Sequence, residues 1–373
     1  MRPRWPADVP VLTDGAVTLR PHSEDDVDEM TQMCQDAQMV RWTSVPHPYA
    51  RDDAKRFVRE IVPQGWERDH RGWAVEGVDD DGEPRYAGNL DVRGLPVADV
   101  GFALHPWARG RGLMHRAVAL AVQWAFVEGG VEVVHWRAHV GNVDSLRTAW
   151  RAGFSLDGTT PGLLHERGRL IDAWTGHVRF GDRPEPRTTW WDTPVLEGER
   201  VRLRPFAEHD LVRVVEAARD DQTHRFLSIV DLPRDPAAAQ RWLARQAWGS
   251  ATGRSVHWCA ADPGTDAFLA TVAVVELGGI DATSGELAYW AHPDARGRGV
   301  VGEAARLVVA HAVAPQDDGG MGLRRVELLA AASNVGSNAI ARRLGFRHVG
   351  TERAAEPLAD GSFDDLERYD LLA

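Results

Sequence analysis

The eight residues "HPWARGRG" at 105–112 return with one letter changed as "HPDARGRG" at 292–299. In both places a strand-like run ends at His-Pro. A long apolar run at helical spacing follows, "LMHRAVALAVQWAFV" (113–127) and "VVGEAARLVVAHAVA" (300–314). Turn chemistry asks for Gly, Asn or Asp at one place only, so an identical "ARGRG" between strand and helix in both copies needs another cause. A helix N-terminus supplies one, because its first amides lack intrahelical partners and the positive end of the dipole favours an anion. Gly110, Gly112, Gly297 and Gly299 permit positive φ and let a phosphate approach the main chain, while Arg109, Arg111, Arg296 and Arg298 are expected to add charge-assisted hydrogen bonds. By itself, one RGRG string also reads as a solvated surface turn.

The repetition extends outward from this turn. "VTLRPHSEDDVDEM" (17–30) answers to "VRLRPFAEHDLVRV" (201–214), and "GNVDSLRTAWRAGF" (141–154) to "SNVGSNAIARRLGF" (333–346). Each copy reads as strand, helix, second helix, two strands, the His-Pro strand, the turn, a long helix, a buried strand, a short helix ending in Gly-Phe, and two final strands. The second helices, "RDDAKRFVREIV" and "DPAAAQRWLARQAW", are each expected to be capped by their opening aspartate. The stretch "GDRPEPRTTWWDTP" is rich in proline and charge, which places a linker at 181–193 between domains 1–180 and 194–373.

Composition narrows the class. A chain of 373 residues suits two domains, and no apolar run reaches the eighteen or so residues of a membrane span. The N-terminus has basic residues with no apolar stretch behind them, so a cytoplasmic protein without a secretory leader is expected. A net charge of −12 argues against a general nucleic-acid binder and tolerates a cationic ligand. Cys34 and Cys259 form no CxxC motif, and the 15 histidines show no HExxH, so neither a disulfide framework nor a metal is expected. Trp66, Trp73, Trp248 and Trp258 fall at matching places and read as core. His105 and His292 read as structural.

Strand, Arg-x-x-Gly, long helix, strand, then N-x-x-S and a short helix ending in Gly-Phe resemble the GNAT superfamily of N-acetyltransferases. The "LRP" strand and "HP-x-ARGRG" are similar to its ribosomal-protein (RimJ/RimL-like) branch. The resemblance covers nearly all of both halves. It implies an α/β (α+β) fold in two tandem copies, each a mixed, mostly antiparallel central sheet flanked by about four helices. It further implies acyl transfer from acetyl-CoA, or another acyl-CoA, to a primary amine by direct attack. The acceptor would be an amine-bearing small molecule or a protein N-terminus. The pyrophosphate would lie on the amides from Arg109 through Gly112, Leu113 and Met114, and from Arg296 through Gly299, Val300, Val301 and Gly302. Asn142 and Asn334 would hold the cofactor arm, although both also suit turns. Two departures stand out. The sixth loop position carries Met114 and Val301 where the family usually has a small residue, and the family's acid tyrosine is replaced by Ala149 and Ala341. The acid role then falls to Ser145 and Ser337, or to water, with helix capping as the serines' alternative.

The amine must arrive neutral. Deprotonating a lysine-like amine at pH 7 costs about 4 to 5 kcal/mol, an α-amine only about 1, so a modest base is enough for the latter. Asp99 and Glu286 stand six residues before each His-Pro histidine and are the candidate bases; the alternative is a solvent-facing carboxylate. Two rivals remain open. One copy could be catalytically degenerate and serve as a binding or structural module. The other rival is a dinucleotide-dependent oxidoreductase, since "GRGVVG" (297–302) fits GxGxxG, a pattern that His115 breaks in the first copy.

Overall fold

The structure, a computed structural model, describes residues 8–373 apart from Asp69 and Ile229. It falls into two compact units that divide after Arg187. Residues expected as linker are held by their own units. Arg187 Nε donates to the Gly153 carbonyl at 2.9 Å, Thr188 Oγ1 to that of Ala251 at 2.7 Å, and Trp191 Nε1 to that of Gly253 at 3.1 Å.

The first unit runs β1 (Leu12–Thr13), β2 (Val17–Arg20), α1 (Val27–Gln35), α2 (Ala37–Trp42), α3 (Arg51–Arg56), α4 (Val62–Trp66), β3 (His70–Val78), β4 (Pro84–Arg93) and β5 (Val97–Leu104). It continues with α5 (Leu113–Val127), β6 (Val133–His139), α6 (Val143–Arg151), β7 (Ser155–Glu166) and β8 (Arg169–Arg179). The second unit repeats the plan: β9 (Leu196–Glu197), β10 (Arg202–Arg204), α7 (Leu211–Ala218), α8 (Asp221–Phe226), α9 (Pro236–Ala251), β11 (Val256–Ala261), β12 (Phe268–Val275) and β13 (Ser284–Ala291). It ends with α10 (Val300–Val313), β14 (Arg325–Ala331), α11 (Val335–Arg343), β15 (Arg347–Pro357) and β16 (Phe363–Leu372). The sheets have the same order, β1-β2-β3-β4-β5-β6-β8-β7 and, read from its other end, β9-β10-β11-β12-β13-β14-β16-β15. Among the described residues, β5–β6 and β13–β14 are the parallel pairs; the other neighbours are antiparallel.

Matching residues hold the matching folds. Trp73 and Trp258 are fully buried, and their indoles donate to the carbonyls of Pro10 and Pro194 at 3.0 and 2.9 Å. The arginine of each "LRP" strand clamps a buried aspartate, Arg20 on Asp26 and Arg204 on Asp210, with both carboxylate oxygens engaged. Such a fork pairing is what makes a carboxylate tolerable at that depth.

The structure corrects several local expectations. Asp36 and Asp220 adopt extended backbone and break what reads as one helix, so the short α2 and α8 follow α1 and α7. Asp235 caps α9 as expected, but α3 begins after Ala50, whose amide is satisfied by Asp53 from inside the first turn. A π-helical turn, Phe57–Ile61, separates α3 from α4. Trp66 and Trp248 are half-buried, unlike Trp73 and Trp258.

Candidate active site

In both units the RGRG segment forms a tight turn delivering the chain into a helix. Gly110, Gly112, Gly297 and Gly299 all have φ between +71° and +76°, and Gly112 and Gly299 are the N-caps of α5 and α10. Neither cap has a side chain to satisfy the first amides, which leaves those donors for an anion. The arginine side chains depart from the sequence-based reading. Arg109 is paired with Asp36, and Arg296 with Asp220, Gln222 (3.0 Å) and Thr223 (2.8 Å). Arg111 is paired with Asp80, and Arg298 reaches the Asp294 carbonyl at 3.3 Å. Three guanidiniums therefore already have carboxylate partners within their own unit. Arg109 and Arg296 tie the turn to the capping aspartates of α2 and α8.

The second unit contains a cleft of about 1350 Å³ running from this turn across the middle of the sheet. It opens because the parallel ladder of β13 and β14 ends at Glu286↔Glu327, while both strands continue to Ala291 and Ala331. Strands that separate leave main-chain donors and acceptors facing the gap. At the point of separation stands Glu286, its pKa pushed up to about 7 by burial and by Glu276, Glu327 and Glu356, against the opposing pull of Arg368. Across the gap, Asn334 caps α11 by accepting from the Ser337 amide at 3.2 Å. The asparagine is thus the cap, and the serine hydroxyl lies within hydrogen-bond distance of the Tyr289 hydroxyl, 2.8 Å away. Burial pushes the Tyr289 phenol up to about 12. Gly302 lines the cleft, and a Cβ placed on it would meet nothing within 4 Å. The exposed Arg306 and Arg343 also line it.

The first unit carries the same frame with different chemistry. Asp99, the counterpart of Glu286, is paired with Arg137 at 2.6 Å. Phe102 stands where the other copy has Tyr289. Ser145, beneath its cap Asn142 (3.2 Å), accepts from the Trp136 indole at 3.0 Å. In place of Gly302 stands His115, whose Cε1 lies 3.2 Å from where a Cβ on Gly112 would be, so its ring folds back over the turn. Burial, with Arg151 and Arg116 nearby, lowers its pKa.

Sequence reasoning missed Tyr289, Arg306, Arg343 and Arg137, and met His115 only as the residue that breaks the GxGxxG pattern. Comparing the copies position by position outside their shared letters, which exposed His115/Gly302, would also have exposed Phe102/Tyr289. Arg137 has no such signal, since it meets Asp99 only across paired strands. Cys34 and Cys259 are buried, and burial pushes the Cys34 thiol up to about 11, which suits packing rather than nucleophilic attack. His105 and His292 are buried beside Glu29 and Glu216, each at 3.3 Å, in keeping with a structural role. Among the described residues no helix is long and apolar enough to cross a membrane.

The family profile described as "Acetyltransferase (GNAT) domain" matches residues 16–155 and again 200–347. No curated protein matches the chain. Solved structures do. A ribosomal-protein-S5-alanine acetyltransferase from Vibrio fischeri is 15% identical, with 48% of this chain and 96% of that one covered and a TM-score of 0.41. An acetyl transferase from Salmonella typhimurium, described as modifying the N-terminal serine of 50S ribosomal subunit protein L7/L12, is 16% identical over 48% and 99%, with a TM-score of 0.41. The microcin C7 self-immunity acetyltransferase MccE, in complex with acetyl-CoA and AMP, is 15% identical over 47% and 94%, with a TM-score of 0.39. The profile match and the mostly antiparallel sheets leave no place for a dinucleotide-dependent oxidoreductase.

Proposed function

Since the chain belongs to the GNAT acetyltransferase family, we propose that it moves an acetyl group from acetyl-CoA to an amine of low pKa, a peptide α-amine above all, in the cleft of its C-terminal unit. The observation that carries this reading is the single cleft joining an uncapped helix N-terminus at Gly299–Gly302, the carboxylate of Glu286 and the hydroxyl of Ser337. The residues present fit the coenzyme: the bare amides suit a diphosphate, Gly302 leaves it room, and Arg306 and Arg343 supply positive charge along the same cleft. When bound, acetyl-CoA supplies an activated thioester.

The remaining steps belong to the chain. Main-chain groups of β13 and β14 past the end of their ladder offer hydrogen bonds that orient the acyl arm and polarise its carbonyl. Glu286 takes the proton from the amine, directly or through water. With its pKa near 7 it is matched to an α-amine of about 7.8 and falls more than three units short of a lysine-like amine at about 10.4. Ser337 is the proton donor on the leaving side. The N-terminal unit is better suited to a binding or structural role, because Asp99 is engaged by Arg137 and His115 covers its turn.

The test offers acetyl-CoA with an alanine-terminated peptide, spermidine or glucosamine, and reads the mass of each amine. Acetylation of the peptide at its α-amine is expected. Finding acetyl-CoA bound with no amine acetylated, or lysine-type amines modified in preference, would overturn the reading.

A further inference from the structure

Tyr289 has no task in the reading above, yet it is the side chain best placed to acquire one. Its hydroxyl oxygen lies 2.8 Å from that of Ser337, and both side chains line the C-terminal cleft. It stands three residues along β13 from Glu286, where the parallel ladder has just ended. In the N-terminal unit the equivalent serine is bonded to the Trp136 indole, a donor that does not relay protons, and Phe102 replaces the phenol. A phenol joined to the serine is thus particular to the unit whose carboxylate has, among the described residues, no salt-bridge partner.

Resting on the acyl-transfer reading of this cleft, we propose that Tyr289 is the proton source behind Ser337, the pair acting as a relay to the sulfur that leaves the thioester. An alkyl hydroxyl alone is a poor acid toward a thiolate whose conjugate thiol has a pKa of about 8.5, because an alkoxide would be left behind. A phenol narrows that gap, even with burial raising Tyr289 to about 12. As the new N–C bond forms and the C–S bond breaks, Ser337 gives its hydroxyl proton to sulfur and takes the Tyr289 proton in its place. The phenolate regains a proton from water in the cleft, and the proton shed by the amine leaves through Glu286. Amine and thioester become amide and thiol with no net proton gained or lost.

The experiment needs no acceptor. Full-length wild type, Y289F, S337A and the double variant are loaded with CoA alone, and ionisation of its thiol is followed by ultraviolet thiolate absorbance. A relay that donates to sulfur stabilises the thiolate, so the bound thiol should titrate lower in the wild type than in either single variant. The expected difference is on the order of one pH unit, with no further change in the double variant. Substituting 3-fluorotyrosine at position 289, an isosteric and more acidic phenol, should move the titration the opposite way and guards against misfolding of Y289F. An unchanged thiol titration in Y289F with CoA still bound overturns the relay and leaves the acyl-transfer reading intact. Failure of CoA to bind the wild type overturns both. A tyrosine that only packs would alter affinity or melting temperature without moving this titration.

Discussion

At the scale of single residues, the two candidate bases show how little identity says about chemistry. Asp99 and Glu286 occupy the same place on the same strand, but one meets Arg137 and the other meets Glu276, Glu327 and Glu356. Burial among like charges makes the Glu286 carboxylate hold its proton longer. For Glu286 the predicted rate profile follows directly. Transfer to an α-amine should rise through about pH 7 as this group ionises, and E286Q should abolish that limb and lower kcat/KM on the order of 10²-fold, read from initial rates between pH 5.5 and 9. Stability should move the other way. The folded-state pKa is raised above the unfolded value, so the folded protein binds more protons between the two and loses stability as pH rises through about 7. E286Q should therefore melt higher than wild type at pH 8, with the difference shrinking toward pH 5.

At the scale of elements, the two copies part at the turn and the helix that follows it. The third helical position differs between the copies, His115 on α5, whose ring lies close to Gly112, and Gly302 on α10, around which there is open space. Exchanging them should exchange the behaviour. G302H is expected to weaken CoA binding at the C-terminal cleft by at least about tenfold, equivalent to about 1.4 kcal/mol. H115G is expected to raise the binding stoichiometry above that of wild type. Isothermal titration calorimetry reads both, and unchanged affinity in G302H would show that the diphosphate does not sit on this turn. Asp220 serves two elements at once, capping α8 through the Thr223 amide at 2.9 Å and holding Arg296 of the turn. D220A should cost about 1 kcal/mol from the cap alone, whereas D220N keeps an acceptor there and isolates the loss of the ion pair. Urea unfolding of the two variants separates the contributions.

At the scale of the whole molecule, the prediction is independence. Each unit has its own complete sheet, and the C-terminal one has its own large apolar cluster around Trp258, Val272 and Val308. Residues 188–373 produced alone should give a cooperative unfolding transition and bind CoA as the full chain does; circular dichroism and calorimetry test this, and failure to fold would show that the units depend on each other. Much of this organisation was legible beforehand. The strand-to-helix turn and the repeat follow from local signals, since glycines with positive φ, apolar periodicity and repeated spacing act between neighbours in the chain, whereas the mostly antiparallel sheet was an expectation that the family resemblance carried and its one parallel pair per unit was not foreseen. The breaks at Asp36 and Asp220 were less legible, because an aspartate in a helical pattern reads equally as a first-turn charge or as a cap. What only the tertiary structure decided is which side chains meet. Arg137 reaches Asp99 across paired strands, the first arginine of each RGRG turns to an aspartate more than seventy residues earlier, and Tyr289 meets Ser337 across the cleft. Local pattern fixes the backbone, but a group's charge and proton affinity depend on what surrounds it in space, and those neighbours come from distant parts of the chain.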